Sequence, residues 1–495
     1  MADAYNRVRY IGFPMAQTHP DRLAVIARLF GLAASPPGEC RVLELGCADG
    51  GNIIPMALAL PRSRFTGFDS AAQAVAQGRA LVAALGLNNI TLLERDLMEA
   101  GAELGEFDYI IAHGVYSWVP EDARERLLHI CRDNLAPQGV AYVSYNALPG
   151  FHRREMFRQM LLFHLAGVED PADRVRQAIA FIESLGQSAS SPLARALFAE
   201  ETQHLTQSHW WYVYHDDLEP VNYAPYFHEF LAQARAHGLQ YLGEAHFPEV
   251  ESGLYNKPAV EKLRQWAQGD ALRTEQYIDF VRGRLFRQTL LCRAEVALWP
   301  SPHPDPLTAM YFASAVSPVS PVPDLSPGVW EEFRAPHGAP LRSDDPQVKT
   351  ALARLHAVWP QFMPFAELLA QAGGEPALLA DFLLHTYGAE LVEVSVRPDP
   401  SPLRPGERPV ASPLARLQAK DGTLVTTLRH AQVDLADHID RCLVQWLDGT
   451  RDRPALAAAL HAFLESNPVA GAQPVTPESL EMRLDRLARQ ALLVA

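Results

Sequence analysis

The sequence predicts an α/β fold in which a Rossmann-like N-terminal domain is followed by mainly helical middle and C-terminal domains. Short apolar runs alternate with helical segments between residues 40 and 146, and a glycine-rich turn follows the first run. This alternation is typical of parallel strands that are joined by crossover helices. The third observation is length, because 495 residues exceed what a single hydrophobic core organises.

The elements of the N-terminal domain follow one another at regular spacing. The apolar runs predict five strands, at residues 41–45, 64–68, 90–93, 109–112 and 140–144. Helical spacing predicts crossover helices over 71–85 and 121–135, and Ser70 is a suitable N-cap for the first of them. Strands of this length with intervening helices predict a parallel sheet.

The sequence predicts three further segments after the N-terminal domain: a middle domain, a linker and a C-terminal domain. We expect a cofactor-binding domain at 1–150, a middle domain at 151–298, a proline-rich linker at 299–346 and a mostly helical domain at 347–495. Helical periodicity occurs at 151–185, 348–371, 375–387, 435–447, 454–463 and 480–493. Short hairpins are expected near 390–397 and 424–428.

The composition argues against several classes of protein. A net charge of −15 disfavours a large nucleic-acid surface, which requires clustered cations. The five cysteines form no CxxC pair, and a histidine-rich cluster matches no compact metal motif, so no metal is predicted. The members of that cluster are His204, His209, His215 and Asp216. Without a signal peptide or a long apolar run, we expect a cytoplasmic protein that is not inserted in a membrane.

The turn after the first predicted strand carries the strongest functional signal. It reads ELGCADGGN over residues 44–52, and its glycines permit positive φ and a close approach of backbone to a ligand. Dinucleotide enzymes use GxGxxG at such a turn to hold a pyrophosphate. Here Glu44 and Asp49 would repel phosphate and suit a cationic sulfonium. The charge therefore favours S-adenosylmethionine (SAM) over NAD as the cofactor.

Two further carboxylates complete the predicted cofactor site. Asp69 ends the second predicted strand, where an acid accepts hydrogen bonds from ribose hydroxyls. Asp96 follows the third strand and is placed to contact the adenine amino group. A lone glycine turn is more often an ordinary strand–helix corner, but three markers in strand order favour SAM. The predicted cofactor-binding residues are Glu44, Gly46, Cys47, Asp49, Gly50, Asn52, Asp69, Asp96 and His113.

The loop after the fourth predicted strand lies where substrates meet the cofactor in open parallel sheets. It spans residues 112–120, and its side chains His113, Tyr116 and Trp118 are candidates for the lining of a narrow aromatic channel. Such a channel desolvates an amine and stabilises a developing cation. The alternative is that the rings of Tyr116 and Trp118 pack beneath the next helix. Methyl transfer from a sulfonium requires mainly alignment of an unprotonated nucleophile, so the sequence need not contain a strong base.

Several longer motifs make the chain similar to a known family. They include THPDRL at 18–23, LFGL at 29–32, YNALPG at 145–150, YHDDL at 214–218, YFHEF at 226–230 and LDGTRD at 447–452. In these motifs the sequence resembles bacterial class I methyltransferases with a methyltransferase regulatory domain, a group that includes lysine methyltransferases of outer-membrane proteins. The resemblance implies a class I methyltransferase fold, a regulatory domain and a homodimer. It also implies that the segment from Tyr5 to His19 folds over the cofactor cleft.

Three functions remain open at this point. The favoured hypothesis is N-methylation of protein lysine side chains, because the long extension provides a platform and an acidic surface attracts a lysine-bearing partner. The alternatives are a small-molecule methyltransferase and a non-catalytic SAM-binding scaffold. A lysine must lose its proton to react, and a desolvating pocket lowers its pKa. The candidate catalytic residues are His19, Tyr116, Trp118 and Tyr145, with Asn146 beside them.

Overall fold

A computed structural model of the protein describes residues 7–247, 257–398, 401–402, 404–467 and 476–494. Its centre is a seven-stranded sheet with the strand order β3-β2-β1-β4-β5-β7-β6. The strands are β1 (Arg41–Leu45), β2 (Arg64–Asp69), β3 (Ile90–Glu94), β4 (Phe107–Ala112), β5 (Leu135–Asn146), β6 (Leu239–Glu244) and β7 (Phe286–Arg293). The five strands predicted from the apolar runs are therefore confirmed.

The direction of the strands gives the sheet its functional edge. Strands β1 to β5 are parallel to one another, whereas β7 is antiparallel to both β5 and β6. The order reverses at β1, between β2 and β4. Open α/β sheets bind ligands at the carboxyl ends of the strands at such a reversal. This arrangement confirms the predicted Rossmann-like fold.

Helices cover both faces of the sheet. They include α1 (Pro20–Leu29), α2 (Ile53–Ala59), α3 (Ala72–Ala84) and α4 (Glu121–Asn134). Successive strand residues alternate between the two faces, so Val42 enters one hydrophobic core and Leu43 enters the other. Both side chains are fully buried.

The start of α3 differs from the prediction. Its N-cap is Ala71, without a capping side chain, and not Ser70. The backbone N–H of Ala71 donates instead to Oδ1 of Asp69, 2.8 Å away. The prediction of a Ser70 cap was wrong because the acid at the end of β2 already supplies the oxygen that accepts this N–H.

The middle of the chain supplies helices and also completes the sheet. The predicted helix at 151–185 is two helices, α5 (Phe151–His164) and α6 (Pro171–Ser188), because Asp170 and Pro171 start a new one. They are followed by α7 (Pro192–Gln207), α8 (Phe227–Ala236), α9 (Lys257–Trp266) and α10 (Ala271–Arg282). Since β6 and β7 come from this part, the predicted boundary at residue 150 crosses a continuous sheet.

The proline-rich segment is folded. It contains β8 (Tyr311–Ala313), β9 (Ser317–Pro318), β10 (Glu331–Arg334) and β11 (Pro340–Ser343). Phe312 and Phe333 are fully buried in two cores. The sequence predicted a linker or an extended wrapping segment here, and it did not show these strands because strands of two to four residues are too short to show periodicity.

The C-terminal third is mostly helical, as predicted. Its elements are α11 (Pro346–Val358), β12 (Met363–Pro364), α12 (Phe365–Ala372), α13 (Pro376–Gly388), β13 (Glu393–Ser395), α14 (Pro413–Asp421), β14 (Leu424–Thr426), β15 (Gln432–Asp434), α15 (His438–Trp446), α16 (Arg453–Ser466) and α17 (Pro477–Arg489). Strands β14 and β15 form the hairpin expected near 424–428, whereas β13 pairs with β8 and forms no hairpin of its own. No described helix is both long and apolar enough to cross a membrane.

Candidate active site

A cavity of about 830 Å³ opens at the carboxyl ends of the parallel strands. Residues at or just beyond the ends of β1, β2, β4 and β5 form its floor; they are Glu44, Gly46, Cys47, Asp69, His113 and Asn146. Its cover is the N-terminal segment, through Arg9, Tyr10, Gly12, Phe13, Met15 and Gln17. The described part of the segment expected to fold over the cleft therefore does so, and residues 5 and 6 lie outside the described residues.

The glycine-rich turn requires glycine for two different reasons. Gly46 and Gly50 have φ of +69° and +76°, in the left-handed region that disfavours a β-carbon. A β-carbon on Gly46 would also stand 2.6 Å from Cγ2 of Val115. Gly46 lines the cavity, but Gly50 lies outside the lining residues and packs against Ile54.

The N-terminal segment is fastened to the turn by close contact and by charge. A β-carbon on Gly51 would collide with the backbone of Gly12. The two backbone segments can therefore lie this close only because both residues are glycine. Beside them, Nη2 of Arg9 lies 3.0 Å from Oδ2 of Asp49, whose Oδ1 accepts the N–H of Gly51. Asp49 is thus directed at the cover and is not among the lining residues.

Glu44 is the most unusual carboxyl group of the cavity. Its Oε1 accepts a 2.6 Å hydrogen bond from Nδ2 of Asn52, while its buried Oε2 has no hydrogen-bond partner among the described residues. Burial, with further contributions from Asp69 and Asp49, raises the pKa of Glu44 to about 8. A buried acceptor without a donor is costly, so this oxygen fits a ligand that brings a cation or an N–H group.

Asp69 and Asp96 have different surroundings. Asp69 lines the cavity, and its oxygens accept the N–H groups of Ala48 and Ala71 at 2.9 and 2.8 Å. Burial raises the pKa of Asp69. Asp96 caps a short turn by accepting the N–H of Met98 and is not a lining residue, although its neighbours Arg95 and Leu97 are.

The loop after β4 brings two predicted residues to the cavity. His113 lines the wall, with Nδ1 2.9 Å from the hydroxyl of Tyr142, and burial lowers its pKa to about 4. Trp118 also lines the cavity, and the guanidinium carbon of Arg158 lies 5.5 Å from its ring centre. Asn146 lines the floor, and its buried Nδ2 has no partner among the described residues.

Three predicted catalytic residues do not line this cavity. Tyr116 and Tyr145 are buried in the core, where Tyr116 bonds to Gln233 and Tyr145 lies 3.1 Å from the hydroxyl of Thr289. His19 is the N-cap of α1 and lines a separate cavity of about 320 Å³. For Tyr116 the structure favours the packing alternative, and Tyr145 packs in the same core.

The part of the cavity around Asp216 contains Trp118 and three residues that the sequence analysis did not propose for the site. Tyr10, Trp118, Tyr212 and Asp216 give it aromatic walls and a carboxylate. Tyr212 hydrogen-bonds to Asp216, and burial, reinforced by Asp217, raises the pKa of Asp216 to about 7. Asp216 lies in the π-helical turn Val213–Asp217, and Tyr212 ends the short helical turn before it; this irregular spacing offers no periodic signal.

One histidine of the histidine-rich cluster, His204, belongs to a polar network with Asp217 and Arg154. His204 lies 3.0 Å from Oδ2 of Asp217, and Arg154 lies 2.7 Å from Oδ1 of the same residue. His215 instead contacts the carbonyl oxygen of Val8 at 2.8 Å. Within the described ranges, no group of three or more histidine, cysteine or acidic side chains is arranged to hold a metal ion.

Comparison with known proteins identifies three modules. Residues 42–139 match a methyltransferase domain, 210–293 a predicted methyltransferase regulatory domain, and 407–493 the C-terminal winged helix domain of PKMT. The Rickettsia prowazekii protein RP789 is 30% identical over 488 residues, which is 93% of this chain and 86% of the relative. PKMT2 from Rickettsia typhi, solved in complex with AdoHcy, is similar with a TM-score of 0.86 and 25% identity, over 98% of this chain and all of that one.

The fold and the site define a SAM-dependent methyltransferase, and SAM is its cofactor. The chain belongs to the same family as RP789, and it combines a methyltransferase domain with a methyltransferase regulatory domain and a winged helix domain that matches that of PKMT.

We expect Gly51→Ala to displace the N-terminal segment. The new methyl group collides with Gly12, and overpacking of this kind costs about 1–3 kcal/mol. Trypsin should then cleave after Arg9 faster than in the native chain, as followed by mass spectrometry of the N-terminal fragments. Gly422→Ala is the matched control, because a β-carbon there meets no atom within 4 Å. Equal cleavage rates in all three proteins would contradict the close contact.

Proposed function

We propose that the chain transfers the methyl group of SAM to the side-chain amine of lysine in a protein substrate. The observation that carries this proposal is the continuity of one cavity between the unpartnered oxygen of Glu44 and the aromatic, acidic end at Asp216. Both ends suit a positive charge, and lysine places its charge at the tip of a long apolar stem. The similarity to PKMT2 over nearly the whole chain supports the same acceptor class.

The cofactor would be held by residues at the carboxyl ends of the strands. Glu44 and Asp69 would receive its polar groups, with the turn at Gly46 and Cys47 allowing close approach. When bound, SAM supplies a methyl group on a positively charged sulfur. Asp49 and Gly50 would support this site from behind, by fixing the N-terminal cover and the turn, whereas Asn52 lines the cavity and holds Glu44. The contact of Asp96 with adenine stays a prediction.

The acceptor would enter past Trp118, Tyr10 and Tyr212. Their rings attract the lysine cation to the cavity. They also exclude water, and this desolvation lowers the pKa of the lysine amine. Asp216 would draw in the ammonium group and accept one proton from it. The lone pair then freed on nitrogen forms the new N–C bond while the C–S bond of the donor breaks. The sulfur leaves as a neutral thioether, so the charge moves from sulfur to the methylated amine.

The substrate protein is proposed on chemical grounds. The chain carries a net charge of −15, which favours association with a basic, lysine-bearing partner. We propose an outer-membrane protein as the first acceptor to test, because the family resemblance includes enzymes that act on such proteins. A homodimer and a cytoplasmic location stay predictions.

The acceptor class is tested by incubating the protein with methyl-labelled SAM and either a host lysate or an outer-membrane fraction. We expect label in protein, and after acid hydrolysis it should elute with methylated lysine. A parallel reaction without the enzyme measures background transfer. Label found only in small metabolites would sink the lysine proposal and favour a small-molecule methyltransferase; no transfer despite cofactor binding would favour the scaffold.

We expect Asp216→Asn to lower kcat by about 100-fold, which is typical for loss of a positioned proton acceptor. The dissociation constant for S-adenosylhomocysteine (SAH) should stay nearly unchanged, because Asp216 belongs to the π-helical turn and not to the strand ends that would hold the cofactor. Glu200→Gln is the matched control: it also removes a carboxylate from the cavity wall, but one that is paired with Arg153 and half-exposed. Equal losses in the two variants would contradict a specific role for Asp216.

Cofactor binding should release about one proton near pH 7. Glu44 has a raised pKa of about 8 and is protonated below that pH in the free chain. A cationic group at its unpartnered oxygen stabilises the carboxylate and lowers this pKa, so affinity should rise with pH and level off above about 8. Titration calorimetry of SAH in two buffers of different ionisation enthalpy measures the release. Glu44→Gln should abolish it and the exposed Glu39→Gln should not; buffer-independent heats in the native chain would refute the role of Glu44.

A further inference from the structure

The C-terminal unit, which is the winged helix segment at residues 407–493, contacts a lining residue of the cofactor cavity through the side chain of His430. His430 lies between β14 and β15, within the segment that matches the winged helix domain. Its Nε2 is 2.8 Å from Oδ1 of Asn52, a residue 378 positions earlier in the sequence. Both side chains are buried, so the contact is made out of reach of bulk water.

The direction of this hydrogen bond follows from the partners of Asn52. The backbone N–H of Met15 donates to the same Oδ1 at 2.8 Å, and a backbone N–H has no other role, so this atom is the amide oxygen. His430 must therefore donate from Nε2. Burial lowers the pKa of His430 to about 3, which leaves a neutral ring that carries one proton.

The orientation of Asn52 determines what Glu44 presents to the cavity. With Oδ1 directed at Met15 and His430, the amide nitrogen of Asn52 faces Glu44 and donates to Oε1 at 2.6 Å. That bond occupies one carboxyl oxygen and leaves Oε2 for a ligand. If the amide turned over, its oxygen would face the Glu44 carboxyl group and its nitrogen would face two donors.

The backbone at His430 is built for this contact. His430 has φ of +57°, a left-handed conformation that is uncommon for residues other than glycine. Hydrogen bonds hold the turn on both sides: the N–H of His430 donates to Thr427, and that of Leu428 to Ala491. Unusual φ values persist where the surrounding structure enforces them, often at functional sites.

We propose that His430 is a positioning residue of the cofactor site, which orients Asn52 and thereby the carboxyl group of Glu44. The C-terminal unit is then part of the machinery that binds the cofactor, in addition to any contact with the acceptor protein. This inference rests on the cofactor-binding role proposed for Glu44.

The test is the SAH affinity of full-length variants, measured by titration calorimetry beside their thermal unfolding temperature. His430→Leu removes the donor and should weaken SAH binding about tenfold or more, as expected for one lost buried hydrogen bond. His430→Gln places an N–H group near the position of Nε2 and should restore most of the affinity. His461→Leu, an exposed histidine of the same unit whose ring bonds to its own helix, should leave affinity unchanged.

A double-mutant cycle separates positioning from packing. If His430 acts through Glu44, His430→Leu should cost little further affinity in a Glu44→Gln background. A full additive loss there, or a loss that His430→Gln does not repair, would overturn the proposal. Native SAH affinity in His430→Leu would overturn it too.

A second pair of variants decides the matter if His430→Leu does not fold. His430→Asn is polar but too short to reach Asn52, so it should bind SAH more weakly than His430→Gln; equal affinities would contradict the inference. A native chain that binds no SAH would instead defeat the proposed function. If the native chain binds SAH and the substitutions of His430 leave that affinity unchanged, the inference fails but the proposed function does not.

Discussion

The cofactor cleft depends on the hydrogen bonds of the Asn52 side-chain amide. Its nitrogen donates to Glu44 in the floor, and its oxygen accepts from Met15 in the N-terminal cover and from His430 in the C-terminal unit. Three distant parts of the chain therefore meet at one side chain. By linkage, a partner that shifts His430 changes cofactor affinity by the same factor by which the cofactor changes partner affinity.

The charge of the cavity gives this geometry its chemical meaning. Its two ends present carboxyl groups that burial has made harder to ionise, Glu44 near the strand ends and Asp216 at the aromatic end. Both groups regain their charge at low cost only when a cation approaches. A sulfonium cofactor with an ammonium tail and a lysine acceptor bring positive charge, whereas NAD would bring phosphates. The fastening of the cover through Arg9 and Asp49 keeps both ends in one enclosed space.

Local signals in the sequence were sufficient to predict the first five strands and the glycine turn. They also predicted the lining residues Glu44, Asp69, His113 and Trp118, because the positions of these residues follow from strand spacing in a parallel sheet. Tyr116 and Tyr145 were misplaced because alternation along a loop or strand end does not reveal which face a ring takes. Asp216 and His430 were missed because a π-helical turn and a contact across 378 residues leave no periodic pattern. The strands at 311–343 were missed because they are very short.

The most direct test of the account is a crystal structure of the full chain with SAH and a lysine peptide. The account predicts SAH against β1 and β2, with its amino group within hydrogen-bond distance of Oε2 of Glu44. It also predicts the lysine side chain between Trp118 and Tyr212, with its nitrogen near Asp216 and facing the sulfur. A lysine bound outside this cavity, or SAH whose amino group does not contact Glu44, would contradict it.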